Sequence, residues 1–260
     1  MPSARTRLAA ALSLALAVGA CVEPATEHRV RANAYLRSGD AEAALKECDL
    51  GLTRKQGDAG LQILRGKALF ELDRFDEARA SYESALAQKN EGGSTAEAHL
   101  GLAMIASRTR QWPAARLHFE ELVKINEKDA TSQLNVARAC LEMKDLDCAV
   151  ARAEAAGKLR GEDEGVLYTL GTIYLAAGKP SEAELTFKHI CEVVPNASSC
   201  PYGVALVAAK AGDKAKALAQ LREAVTRKVP NPERLESDPG FASLREEAEF
   251  KDLVAKANAK

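Results

Sequence analysis

The residues of this chain able to carry chemistry are its cysteines, its histidines and many carboxylates. Cysteine offers acylation, metal ligation or disulfide formation, and spacing and compartment decide among them. Cys21 ends an apolar run, and Cys48 stands alone. Seven residues separate Cys140 from Cys148, and eight separate Cys191 from Cys200. The histidines (His28, His99, His118 and His189) are scattered, and a lone histidine on a helix more often packs or faces water than binds a metal. The sequence holds no G-x-S-x-G, H-E-x-x-H, Walker-type glycine loop or C-x-x-C. Carboxylates such as Glu246 and Glu247 read as solvated helix-face charges. These observations give no catalytic residue, no metal site and no cofactor, and the chain reads as a non-enzyme with no small-molecule substrate. A formal net charge of −1 gives no electrostatic reason to expect nucleic acid.

The elements that must position these residues are clearest in Glu164–Ala197. Leu167, Leu170, Gly171 and Tyr174 form an apolar stripe at helical spacing, with Gly171 admitting a close neighbour. Gly178, Lys179 and Pro180 break the stripe, and Pro180 suits the first turn of a second helix. Ala183 and Phe187 then offer a small and a large contact, and Pro195 stops that helix. This arrangement resembles the tetratricopeptide repeat, a 34-residue helical hairpin. The frame recurs. Val136, Ala137, Cys140, Ala149 and Ala156 occupy it in 130–163. Val204, Ala205, Gly212, Ala217, Leu221 and Ala224 do so in 198–231, and Leu102, Ala103, Trp112, Ala115 and Phe119 in 96–129. A three-residue insert, Gly93, Ser94 and Thr95, shifts the register. Before it, 59–92 carries Gly66, Phe75, Ala78, Tyr82 and Ala85, and 25–58 carries Ala32, Tyr35, Gly39 and Ala44.

The resemblance implies an all-α, right-handed α-solenoid of about six tetratricopeptide repeats. Repeats one and two occupy 25–92, and repeats three to six occupy 96–231. Apolar content of 47% with only 5% aromatics suits closely packed helices rather than sheets. Residues 232–260 leave the pattern. Phe241, Leu244, Phe250, Leu253 and Val254 outline an apolar face suited to capping the last repeat, and the run SDPGFASLREEAEFKDL resembles a tail found after bacterial tetratricopeptide arrays.

The amino terminus has a different character. Arg5 and Arg7 precede Leu8–Ala20, an apolar run too short to span a bilayer but suited to a signal peptide. Val18-Gly19-Ala20-Cys21 resembles the bacterial lipobox. The resemblance implies removal of 1–20, lipidation of Cys21 and a short linker through 24, with an ordinary secretory signal as the alternative. Val22 in place of Asp after the lipidated cysteine implies delivery to the outer membrane, facing the periplasm. The Cys140–Cys148 spacing resembles cysteine-rich helical-repeat proteins of bacterial exteriors that staple each hairpin. That likeness makes Cys140, Cys148, Cys191 and Cys200 disulfide candidates in two pairs, with small buried thiols as the alternative.

In tetratricopeptide proteins the first helices line a concave groove. Carried onto this chain, those positions give Arg29, Asn33, Arg37, Lys67, Phe70, Met104, Arg108 and Arg138, then Tyr168, Thr172, Tyr202 and Leu206. The earlier set is mainly basic and the later one aromatic and aliphatic. A peptide with an acidic part and apolar anchors would suit them, and ordinary solvent-facing residues are the alternative. Leu64 and Gly101 stand where a carboxylate clamp needs polar side chains, which excludes a full clamp. The expected function is a membrane-anchored scaffold that binds envelope proteins or peptides. One alternative is a pilotin-like lipoprotein assisting secretin and type IV pilus assembly. The others are a partner-free spacer and an accessory subunit of an envelope enzyme or transport complex.

Overall fold

A computed structural model describes residues 24–88 and 93–259. The expectations for 1–23, including the signal peptide and Cys21, lie outside the described residues. The described residues form two compact units that part between Glu121 and Leu122, unit 1 before and unit 2 after. Unit 1 contains α1 (Pro24–Arg37), α2 (Ala41–Arg54), α3 (Ala59–Glu71), α4 (Phe75–Ala87), α5 (Gly93–Arg108) and most of α6 (Trp112–Ile125). Unit 2 contains α7 (Ala130–Glu142), α8 (Leu146–Leu159), α9 (Glu164–Ala176), α10 (Pro180–Val193), α11 (Ser199–Lys210) and α12 (Lys214–Thr226). Two 3₁₀ turns, Pro232–Arg234 and Pro239–Leu244, then lead to α13 (Ala248–Asn258). The fold is all-α and of the solenoid type, built from consecutive helical hairpins. The insert at Gly93–Thr95 does not form a separate linker: α5 starts at Gly93, so the extra residues add a helical turn.

Aspartate starts many of these helices. Asp40, Asp58, Asp129, Asp145, Asp163 and Asp213 each accept from a backbone N–H two or three residues on. Each fills an otherwise orphaned donor and sets a negative charge at the positive end of the helix dipole. The turn inside every hairpin passes through a left-handed residue at one fixed repeat position. Glycine takes it at Gly39, Gly178 and Gly212, whereas Asp73, Arg110 and Lys144 take it at φ 56°, 56° and 61°. A side chain there costs about 1 kcal/mol relative to glycine.

Large residues set against glycine hold the hairpins together. In unit 1 the Tyr82 ring lies between Gly66 of its own hairpin and Gly101 of the next. Cβ atoms on those glycines would stand 2.8 and 2.3 Å from it. In unit 2 the fully buried Phe187 fills the same place between Gly171 and Gly203, at 2.6 and 2.2 Å. Where the ring is replaced by the small Cys48 or Ala153, the residue in register with Gly101 and Gly203 grows to Leu64 or Thr169. The volume is thus balanced along the repeat. Cys48 is a buried thiol whose pKa is pushed up to about 12, first by burial and then by Asp49.

The bridges Cys140–Cys148, joining α7 to α8, and Cys191–Cys200, joining α10 to α11, are both present in unit 2. The carboxy-terminal segment caps the last hairpin. Phe241, Leu244, Phe250 and Leu253 are buried against Ala205, Leu206, Leu218 and Leu221 of α11 and α12. It does so with 3₁₀ turns as well as a helix, because Pro239 and Gly240 interrupt any longer helix. Among the described residues, no helix is long and apolar enough to cross a membrane.

Candidate functional site

A cavity of about 470 Å³ opens in unit 2 at the amino-terminal ends of α9 and α11. Glu164 and Tyr168 line it from α9, and Ser199 and Tyr202 from α11. Val229–Asn231, which follow α12, and Asp238 of the tail close it. Asp163 caps α9 by accepting from the Val166 N–H, which places Glu164 in the first turn and Tyr168 one turn further. The Tyr168 ring rests 5.7 Å from Phe187, so the cavity wall is fixed to the core. Tyr202 lies edge-on to Phe241 at 5.2 Å, and its hydroxyl donates to Asp238 Oδ2 at 2.5 Å.

The polar groups are arranged in pairs. Ser199 Oγ donates to Glu164 Oε1 at 2.6 Å. Asp238 Oδ1 also accepts from the Gly240 N–H at 2.8 Å, and the Arg245 guanidinium donates to the Ser237 and Asp238 carbonyls. Burial, then the hydrogen bond to Asp238 and its charge, push the Tyr202 pKa well above the phenol range. Burial and then Asp238 push Tyr168 up to about 12. Both phenols are therefore neutral at pH 7.

The turn that carries Ser198 and Ser199 is held twice. The Cys191–Cys200 bridge spans it, and Arg227 Nη1 donates to the Pro195 and Ala197 carbonyls at 2.9 and 3.2 Å.

The residues expected to line a groove divide into several environments. Tyr168 and Tyr202 meet in this cavity. Lys67, Phe70 and Met104 meet in another, of about 230 Å³ in unit 1, with Glu97 and Leu100. Arg29, Asn33 and Arg37 line neither. Leu206 does not line a surface at all. It is only 7% exposed, because Gly240 of the tail packs against its side chain.

Part of the positive charge of the earlier set is offset. Lys67 pairs with Glu97, Arg108 with Asp73 at 3.4 Å, and Arg29 lies 3.9 Å from Asp58. Carboxylates from neighbouring positions offset these cations. Arg138 donates to the Thr169 hydroxyl at 3.4 Å, and Thr172 donates to the Thr169 carbonyl at 2.8 Å.

Sequence reasoning missed Glu164, Ser199, Val229–Asn231 and Asp238. Only Asp238, followed by Pro239 and Gly240, carried a signal, as a turn former set beside an expected cap. It also read the histidines as scattered. His99 and His118 instead meet across the third hairpin, with Nδ1 atoms 3.1 Å apart. Cys140, Asp145 and Cys148 cluster, but the two sulfurs are bonded to each other and offer no thiolate.

An all-α stack of hairpins with large-against-glycine packing and a ligand-sized recess on the first helices defines a helical-repeat binding scaffold. The family model described as Tetratricopeptide repeat matches residues 63–130 and 168–232, just over half the sequence. The chain belongs to the tetratricopeptide repeat family, whose members are scaffolds for protein–protein interaction and are not usually catalytic.

A tetratricopeptide repeat protein from Parabacteroides merdae superposes with a TM-score of 0.72 at 13% identity, covering 90% of this chain and 98% of that one. MamA from Desulfovibrio magneticus gives 0.60 at 19% identity, covering 66% and 96%. YrrB, described as a protein with an unusual peptide-binding site, gives 0.56 at 19% identity, covering 70% and 92%. DnaJ homolog subfamily C member 3 of Gallus gallus is 24% identical over 174 residues, 62% of this chain. That match takes in 34% of the relative, so the chain spans about a third of its length.

Proposed function

We propose that this protein is a lipid-anchored scaffold of the bacterial envelope whose first helices hold segments of partner proteins, with its main contact at the Tyr168–Tyr202 recess. The recess carries the reading. It is concave, has two anchored aromatic walls and presents a few oriented polar groups, the composition of a recognition site. The peptide-binding site of YrrB supports the use of such repeats for holding a peptide.

The envelope assignment is supported by the basic start, the apolar run and Val18–Cys21, which suit acylation of Cys21 and an outer-membrane, periplasm-facing anchor. The two disulfides support an oxidising compartment.

The test has two parts. Labelled palmitate is incorporated into the parent protein and not into Cys21→Ser. Protein gently solubilised from membranes captures a partner, and Tyr168→Ala with unchanged helicity loses it. Equal capture by both proteins places binding elsewhere and defeats the recess reading. Capture of an outer-membrane secretin subunit would select the pilotin variant, and capture of nothing would select the spacer.

A further inference from the structure

We propose that the recess between α9, α11 and the tail is a receptor for one arginine side chain of the partner segment. This rests on the scaffold reading and specifies its ligand. The lining contains two carboxylates, Glu164 and Asp238, and two tyrosine rings, but no lysine or arginine. A recess of about 470 Å³ can hold a guanidinium, its alkyl stem and part of the flanking chain.

Two helices begin here, and their dipoles alone would favour an anion. Each contributes about half a positive charge. The chain already answers both: Asp163 caps α9, and Glu164 receives the Ser199 hydroxyl at the start of α11. What remains is a lining with two carboxylates and no cationic side chain of its own, since Arg245 and Arg227 are turned to the backbone carbonyls of Ser237, Asp238, Pro195 and Ala197. Asp238 takes one donor on each oxygen, and Glu164 takes one donor from Ser199. A carboxylate accepts about four hydrogen bonds, so both keep room for an incoming N–H.

Arginine fits better than lysine on two counts. Its planar head stacks on a phenol ring while its edge donates to a carboxylate, whereas an ammonium does these less well together. The two phenols stay neutral and contribute ring faces rather than charge. Val229 and Pro230 supply apolar wall for the stem and neighbouring residues.

The experiment uses the whole chain with N-acetyl-arginine-methylamide as probe and the citrulline analogue, neutral but of similar shape, as control. Binding is followed by amide chemical shifts. Saturable shifts are expected at Tyr168, Ser199 and Tyr202, with citrulline binding at least about tenfold more weakly. Glu164→Gln and Asp238→Asn should each weaken the arginine probe by about tenfold, and raising salt should weaken it further. Since Asp238 also ties the tail, Glu164→Gln decides if Asp238→Asn loosens the fold. Equal binding of arginine and citrulline, shifts confined to other surfaces, or full binding by Glu164→Gln overturns the proposal. Partner capture abolished by Tyr168→Ala but untouched by Glu164→Gln would leave the scaffold reading standing while removing the arginine.

Discussion

The two units hold their hairpins with the same device and differ in what surrounds it. Tyr82 between Gly66 and Gly101 and Phe187 between Gly171 and Gly203 are the same solution, one ring seated against two glycines. In unit 1 that ring adjoins a small recess where Lys67 and Glu97 offset each other. In unit 2 it supports Tyr168, and beyond it lies a larger recess whose carboxylates face no lining cation. Unit 2 also carries both disulfides, whereas the buried cysteine of unit 1 remains a thiol. Equivalent packing therefore does not carry equivalent surfaces. The ring and its glycines specify the hairpin stack, and the residues one turn away specify what it can hold.

The largest effect should come from deleting the rings. Phe187→Ala and Tyr82→Ala should each cost about 3–5 kcal/mol in urea unfolding. If one costs under about 1 kcal/mol, the two sites are not equivalent. Replacing Cys140 and Cys148 by serine removes a short loop closure and should cost about 2–3 kcal/mol, and reductant, which opens both bridges, should lower the parent's stability by about twice as much. A parent insensitive to reductant would erase that difference between the units.

Mild acid should act through unit 1. Burial, then His99, holds the His118 pKa below its ordinary 6.5, with Glu83, Glu121 and Arg79 also close enough to act on it. Below about pH 6.5 the unfolded chain takes up a proton that folded His118 resists. Stability from this group is therefore complete above that pH and declines as pH falls toward the folded pKa. Half-burial and screening hold the loss below about 1 kcal/mol. His118→Gln should flatten the slope of midpoint against pH, and an unchanged slope would assign it to other groups. The smallest effect concerns the turns. Lys144→Gly relieves a left-handed side chain and should raise stability by about 0.5–1 kcal/mol, whereas Gly178→Ala should lower it similarly.

Much of this was legible in the sequence because a repeat is periodic. Gly171, Phe187 and Gly178 mark a hairpin, and residues of the same kinds recur one period away on either side. The same periodicity concealed the site. It assigns residues to faces without saying what lies across from them, so Lys67, Arg108 and Arg29 read as free charge until their partners Glu97, Asp73 and Asp58 were placed. Leu206 occupies a first-helix position in its repeat, but the tail, which has no period, covers it. Asp238 reaches Tyr202 from 36 residues away, a distance no local pattern encodes.

The tail's double duty has a thermodynamic consequence. Phe241 and Leu244 close the core of the last hairpin, and Asp238, a few residues earlier, forms a wall of the recess. Occupancy and docking of the tail are therefore linked quantities: a ligand that touches Asp238 must favour the docked form of 232–259 by the same factor as the docked tail tightens the ligand. A protease that trims the chain here would not leave a scaffold with reduced affinity. It would expose the apolar end of the last hairpin and remove the recess in one cut.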